Sequence, residues 1–367
     1  MNKLRKIGLT ALAGSMAAVS AQAGELSVTG SFNATYSSQS GNVGTEATDN
    51  AVGYGNDRDF GVSGSGELDN GWTFAGNTLL KDDMTVSSSA LSLTMGSMGT
   101  LSTGFNFGGS NSSFDQETPR AYEEVDDGGA MSTSSNYVGN WDDNNSITYK
   151  APAIALGDFS MQLMGSYSPK ATGASAVDGG TVSSTTYGSG TSLGAIFTGM
   201  GVTAGIYGAE RENVTAKATT GANVNDDFNG SAFINYAMGP VTVGYQKTYY
   251  DSGLAVANEA STAGKTAGTA GGIFEAETVA IAFNVNDNLS VSYAKTEDTY
   301  DSQQSAHTVA AGTAAILDVT SDFTSIQAAY SMGAMSIKAY RTETDNAAYA
   351  TNGGSLTVNE IALGLSF

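Results

Sequence analysis

After residue 23, apolar residues recur at every second position over stretches of about ten residues, and none of the runs between them is continuously apolar for the length of a spanning helix. A period of two is the period of a β-strand, whose side chains point alternately to opposite faces. In the first stretch Leu26, Val28, Gly30, Phe32, Ala34 and Tyr36 share one face, and Ser27, Thr29, Ser31, Asn33 and Thr35 share the other. The same alternation runs through Phe159, Met161, Leu163, Gly165 and Tyr167, and through Val279, Ile281, Phe283 and Val285. It closes the chain with Ile361, Leu363, Leu365 and Phe367. One face of each stretch is greasy and the other is small and polar.

Counting such stretches gives about sixteen strands in up-and-down antiparallel order. The connections sort by length. On one side they are tight, as at Asp69-Asn70-Gly71, Gly199-Met200-Gly201 and Asn286-Asp287-Asn288. On the other side long polar loops are expected at 37–56, 108–143, 169–190, 211–227, 251–273, 298–322 and 343–354, with one short exception near 82–87. Short turns at one end and long loops at the other are the arrangement of a transmembrane barrel. A closed barrel of this size is too wide for side chains to fill. The small polar face therefore lines a wet lumen, and the apolar face meets hydrocarbon. Closure pairs every backbone N–H and C=O without water, as a bilayer requires. Tyr36, Tyr149, Tyr167, Tyr249 and Phe367 fall near strand ends, where aromatic girdles form.

The chain has 36 Asp+Glu against 15 Lys+Arg and a formal net charge of −21, which argues against a nucleic-acid partner because phosphate binding needs a basic face. The absence of Cys excludes disulfides, thiolate metal sites and thiol catalysis. A single His, His307, removes most acid–base and metal-hydrolase schemes built on imidazole, so no enzyme is expected. Asp142-Asp143-Asn144-Asn145, Asn225-Asp226-Asp227 and Asn286-Asp287-Asn288 carry oxygen donors, but none matches a calcium-loop spacing and turn chemistry accounts for them. Neither a metal nor a cofactor is expected.

Lys3, Arg5 and Lys6 precede a short apolar run and the small-residue site Ala21-Gln22-Ala23. This is the composition of a secretory signal peptide, residues 1–23, which leaves one barrel domain over 24–367.

With its signal peptide, its sixteen-strand pattern and the terminal strand Ile361-Ala362-Leu363-Gly364-Leu365-Ser366-Phe367, the chain resembles the general porins of Gram-negative bacteria. The resemblance implies a homotrimer in the bacterial outer membrane, with passive diffusion of small hydrophilic solutes and ions through each barrel. It implies that the terminal strand and Phe367 are the signal read by the barrel assembly machinery. It also implies that the long third loop, near 108–143, folds into the lumen and constricts it.

That loop carries Asp115, Glu117, Glu123, Glu124, Asp126 and Asp127, with Arg120 among them. Carboxylates crowded into a low-dielectric channel raise the local cation concentration, and acidic rings filter cations. By strand parity Lys81, Lys150 and Lys338 face the pore wall. Arg58, Lys247 and Lys295 have outward parity, and the last two belong at the outer rim, where bases meet lipid phosphate. The inward basic set is sparse beside the arginine cluster of well-known family members, which favours a plainly cation-preferring pore. A substrate-specific channel is the alternative within transport, although inward aromatics are few: Phe233, Tyr250 and Tyr340. A surface adhesin or scaffold displaying its loops is the alternative outside it.

Overall fold

The computed structural model describes residues 26–43, 46–128, 132–172, 187–214, 225–253, 271–303, 318–350 and 354–367. They form one antiparallel sheet of seventeen strand segments whose last strand pairs with its first. On the tight-walled side lie β1 (Ser27–Val43), β2 (Glu46–Glu67), β3 (Thr73–Leu80), β4 (Val86–Thr94) and β5 (Thr100–Phe105). The next crossing is made in two pieces, β6 (Asn144–Lys150) and β7 (Ile154–Leu156), interrupted at Pro152. Both pieces pair with β8 (Phe159–Ser168), so the barrel has sixteen crossings. Proline cannot donate to the ladder, which explains the break. The circuit continues with β9 (Tyr187–Gly199), β10 (Val202–Asn213), β11 (Asp227–Met238), β12 (Val241–Asp251) and β13 (Ile273–Asn284). It ends with β14 (Leu289–Asp301), β15 (Val319–Met332), β16 (Met335–Asp345) and β17 (Ser355–Ser366).

The greasy face is outside. Phe32, Leu163 and Ile281 are 36%, 37% and 44% exposed, and their strand neighbours Ser31, Gln162 and Ala282 point into the barrel. A chain burying its apolar faces in a dry core would show the reverse. The exposed Leu, Ile, Val, Phe and Tyr of the strands form the band that hydrocarbon covers.

Residues 37–56, expected as a long loop, are mostly strand. β1 pairs with β17 as far as Gly41 opposite Leu356, and with β2 as far as Val43 opposite Glu46. The backbone ladder rises beyond the apolar band. The apolar period thins there to Val52 and Tyr54 on the outer face, so the sequence pattern fades before the sheet ends.

The interior is not uniformly wet. Three apolar clusters lie inside the barrel: Phe114, Trp141, Met164, Tyr207 and Phe233; then Tyr250, Phe274, Tyr300, Val319 and Tyr349; then Val125, Phe323, Tyr340, Leu356 and Val358. Their members come from the third loop (106–143), from β8 to β17 and from the turn after β16. Among the described residues, β1 to β5 contribute to none of them.

Candidate functional site

The third loop leaves β5 and stays inside the barrel, because the far wall offers it partners for both backbone and side chains. Phe114 is fully buried and stacks on Tyr207 of β10, ring centroids 4.9 Å apart. It fits because β9 has Gly194 there, where a Cβ would stand 2.3 Å from the ring. The Phe114 carbonyl accepts from Ser231 Oγ (2.9 Å) and Gln246 Nε2 (2.7 Å). The Glu117 N–H donates to Gln246 Oε1 (2.7 Å), and Asn235 Nδ2 donates to the Glu117 carbonyl (2.5 Å). Further along, the Ala121 N–H donates to Ser292 Oγ, and the Tyr122 N–H to Gln327 Oε1, each at 2.9 Å. Gln327 Nε2 then donates to the Glu123 carbonyl at 2.6 Å. Inward Ser, Asn and Gln of β11, β12, β14 and β15 thus act as rungs for a chain that runs across the sheet. Buried polar groups need such pairing.

The loop's return arm is held by three buried carboxylates. Asp126 accepts from the Ser132 N–H (2.5 Å) and Asn136 Nδ2 (2.6 Å). Asp298 of β14 accepts from Ser132 Oγ (2.7 Å), the Ser134 N–H (3.0 Å) and the Tyr349 hydroxyl (2.7 Å). Asp142 accepts from Ser110 Oγ (2.6 Å), Ser192 Oγ (2.8 Å) and the Tyr207 hydroxyl (2.9 Å). Arg211 of β10 adds an ion pair with Asp227 at 3.0 Å, lies 3.5 Å over the Tyr187 ring and donates to the loop's Tyr137 hydroxyl.

The acids named from the sequence divide accordingly. Asp126 is buried and structural. Asp115, Glu117, Glu123, Glu124 and Asp127 are partly exposed on the loop's first arm. Arg120 pairs with Glu124 at 3.6 Å and also donates to the Gln116 carbonyl. Desolvation is the first cause of the raised pKa values here; neighbouring carboxylates add to it at Asp115 and Glu124, while hydrogen bonds from Ser132 and Asn136 oppose it at Asp126. Asp115 is pushed up to about 8, Glu124 to about 7 and Asp126 to about 6. Arg120 opposes the rise at Asp115 and Glu124.

The three bases expected on the pore wall separate. Lys338 of β16 reaches the loop, its Nζ 5.0 Å from the Tyr122 ring centroid. Lys150 ends β6, inward but exposed at the short-turn end of the lumen. Lys81 is not on a strand. It opens the turn after β3, where its N–H donates to the Thr85 carbonyl at 2.9 Å.

On the bare wall, β2 places Asp59 opposite Ser31 and Asp57 opposite Asn33, all inward. Among the strands β1 to β5 the only base is Arg58, outward, whose N–H donates to Asp82 Oδ1 at 2.7 Å. The wall away from the loop is therefore acidic. Asp57 and Asp59 were legible by parity, but they fall at the edge of the stretch taken for a loop. Glu360 of β17, which accepts from the Tyr122 hydroxyl at 3.0 Å, was equally legible as the inward residue before Ile361.

On the outer face, above the apolar band, Lys247 pairs with Glu277 (3.0 Å) and Glu275 (3.6 Å), and Lys295 with Asp322 (3.3 Å). Phe367 closes the seam: its N–H donates to the Gly30 carbonyl and its carbonyl accepts from the Gly30 N–H, while its ring stays exposed. His307 and residues 1–23 lie outside the described residues.

A closed sheet with an apolar exterior, a polar interior and a loop folded inside defines a channel-forming barrel of the bacterial outer membrane. The chain matches the Gram-negative porin family over residues 8–367 and belongs to it. Solved structures similar to it include Salmonella typhi OmpF in complex with daunomycin, 12% identical, with 93% of this chain and 97% of that one covered at a TM-score of 0.66. An anion-selective porin from Comamonas acidovorans is 14% identical, with 94% and 100% covered and a TM-score of 0.60. The outer-membrane channel DcaP of Acinetobacter baumannii is 12% identical, with 95% and 98% covered and a TM-score of 0.57. No curated relative matches the chain.

Proposed function

We propose that the channel is a general diffusion pore for small hydrophilic solutes and that it prefers cations, with the first arm of the third loop narrowing the lumen. The observation that carries the preference is the distribution of charge. Glu117, Glu123, Glu124 and Asp127 lie along the loop and Asp57 and Asp59 on the bare wall, whereas the bases at the loop are Arg120, paired with Glu124, Lys338 over the Tyr122 ring, and Arg211, buried against Asp227. Fixed carboxylates on both sides of a water-filled gap concentrate cations. A fold that the Comamonas acidovorans protein uses for anions does not set the sign of selectivity, so the sign rests on these residues.

Phe233, Tyr250 and Tyr340, the inward aromatics expected from the sequence, are buried inside the barrel, as are Tyr207, Phe274, Tyr300 and Phe323, which that parity reading did not name. Their burial supports the non-specific reading over the substrate-specific one. The assembled form is taken to be a homotrimer, exported by residues 1–23 and inserted through the Phe367 strand. Planar-bilayer recording tests the function. Reconstituted protein should show water-filled conductance and a reversal potential on the cation side of zero in a KCl gradient. Glu117→Gln, Glu123→Gln, Glu124→Gln and Asp127→Asn together should move it toward zero. Absence of conductance, or an unmoved reversal potential, contradicts the proposal.

A further inference from the structure

Lys338 is the inward strand base that meets the acidic first arm of the loop, yet it makes no ion pair among the described residues. Glu123 is close enough for the ammonium to oppose that acid's rise, and Glu360 and Asp127 charge the same corner. A flexible ammonium among carboxylates would ordinarily pair with one of them. Here it lies over the Tyr122 ring instead, 5.0 Å from the centroid. That ring cannot move away. Its hydroxyl donates to Glu360 Oε1, its face leans on Tyr340 at 5.9 Å, and its own N–H is fixed on Gln327.

We infer that Tyr122 is a positioning residue for selectivity: it parks Lys338 against the wall, off the loop carboxylates, so that the base does not quench the acids beside the solute path. The inference rests on the loop acids setting the cation preference. Lys338 released from the ring would swing to Glu123 at the loop edge and place its charge where solutes pass. Lys338 removed would take away the base that opposes Glu123.

The test is the reversal potential of reconstituted channels in a KCl gradient. Tyr122→Leu should lower the cation-to-anion permeability ratio by about twofold or more. Tyr122→Phe, which keeps the ring, should match the unmodified channel. Lys338→Gln should raise the ratio, and Tyr122→Leu with Lys338→Gln should match Lys338→Gln alone, because the ring acts only through the base. A Tyr122→Leu channel indistinguishable from the unmodified one overturns the inference. So does a fall that persists without Lys338, since that would mark a merely structural role. A Glu123→Gln/Glu124→Gln/Asp127→Asn channel with an unmoved reversal potential overturns the reading of the loop acids, and this inference with it. That result is separate from one in which the acid variant shifts and the Tyr122 variants do not.

Discussion

The two halves of the barrel interior are built from the same kind of strand and do different work. Behind the third loop, from β8 to β17, inward Tyr, Phe, Gln and Asp are buried and paired. Across from it, β1 to β5 present Ser, Asn, Thr and Asp to open lumen. The outward faces of both halves are alike. The difference lies in whether a loop covers the inner face, and it shows that an inward residue in a porin is not by that fact a pore residue. Phe233 and Asp59 share a parity and have opposite surroundings.

The comparison can be broken most forcefully at Phe114. Phe114→Ala removes a fully buried ring from the dry half and should cost about 3 kcal/mol, read as a lowered midpoint of unfolding in detergent, with a noisier and larger conductance. Asp298→Ala leaves the Ser132 hydroxyl, the Ser134 N–H and the Tyr349 hydroxyl without their acceptor, and should cost about 2 kcal/mol on the same measurement. Stability unchanged in both would mean the loop is not seated as described.

The wet half should behave otherwise. Asp57→Asn with Asp59→Asn should leave the unfolding midpoint within about 0.5 kcal/mol of the unmodified protein while moving the reversal potential toward zero. A large stability loss there would erase the distinction between the halves.

The smallest expected effect is on pH. Asp115, Glu124 and Asp126 hold their protons more tightly in the folded loop than in the unfolded chain, because burial disfavours their charge. As pH falls through about 8 to about 6 they take up protons. The sign follows from linkage: acidification over that window favours the folded loop, because the folded state binds more protons there than the unfolded chain does. The same protonation discharges the loop. Cation preference should therefore weaken from pH near 7 downward, where Glu124 takes up its proton, well before the ordinary carboxylate range near about 4. A reversal potential flat down to pH near about 5 contradicts this.

Much of the fold was legible because lipid imposes a strict period. Phe32, Leu163 and Ile281 could be placed outside, and the strands counted, from alternation alone. Legibility faded where the apolar face thins: residues 37–56 continue the ladder with Val52 and Tyr54 on its outer side, and Asp57 and Asp59 lie at their edge. The loop was located by its length and acidity, but its seating was not legible. Nothing in its sequence distinguishes Asp126, spent on the Ser132 N–H, from Glu123 three residues before it. That distinction depends on which strand the loop reaches. Tyr122 and Glu360, 238 positions apart, meet only because the sheet closes.

The division of the interior is tested most directly by single cysteines, since the chain has none. With Asn33, Asp57, Ser231 and Thr248 replaced one at a time, a charged, water-soluble thiol reagent should cut the current through the Asn33→Cys and Asp57→Cys channels. It should leave Ser231→Cys and Thr248→Cys channels unmodified. Rapid block at Thr248→Cys, with none at Asp57→Cys, would put the water on the wrong side of the loop and contradict the account.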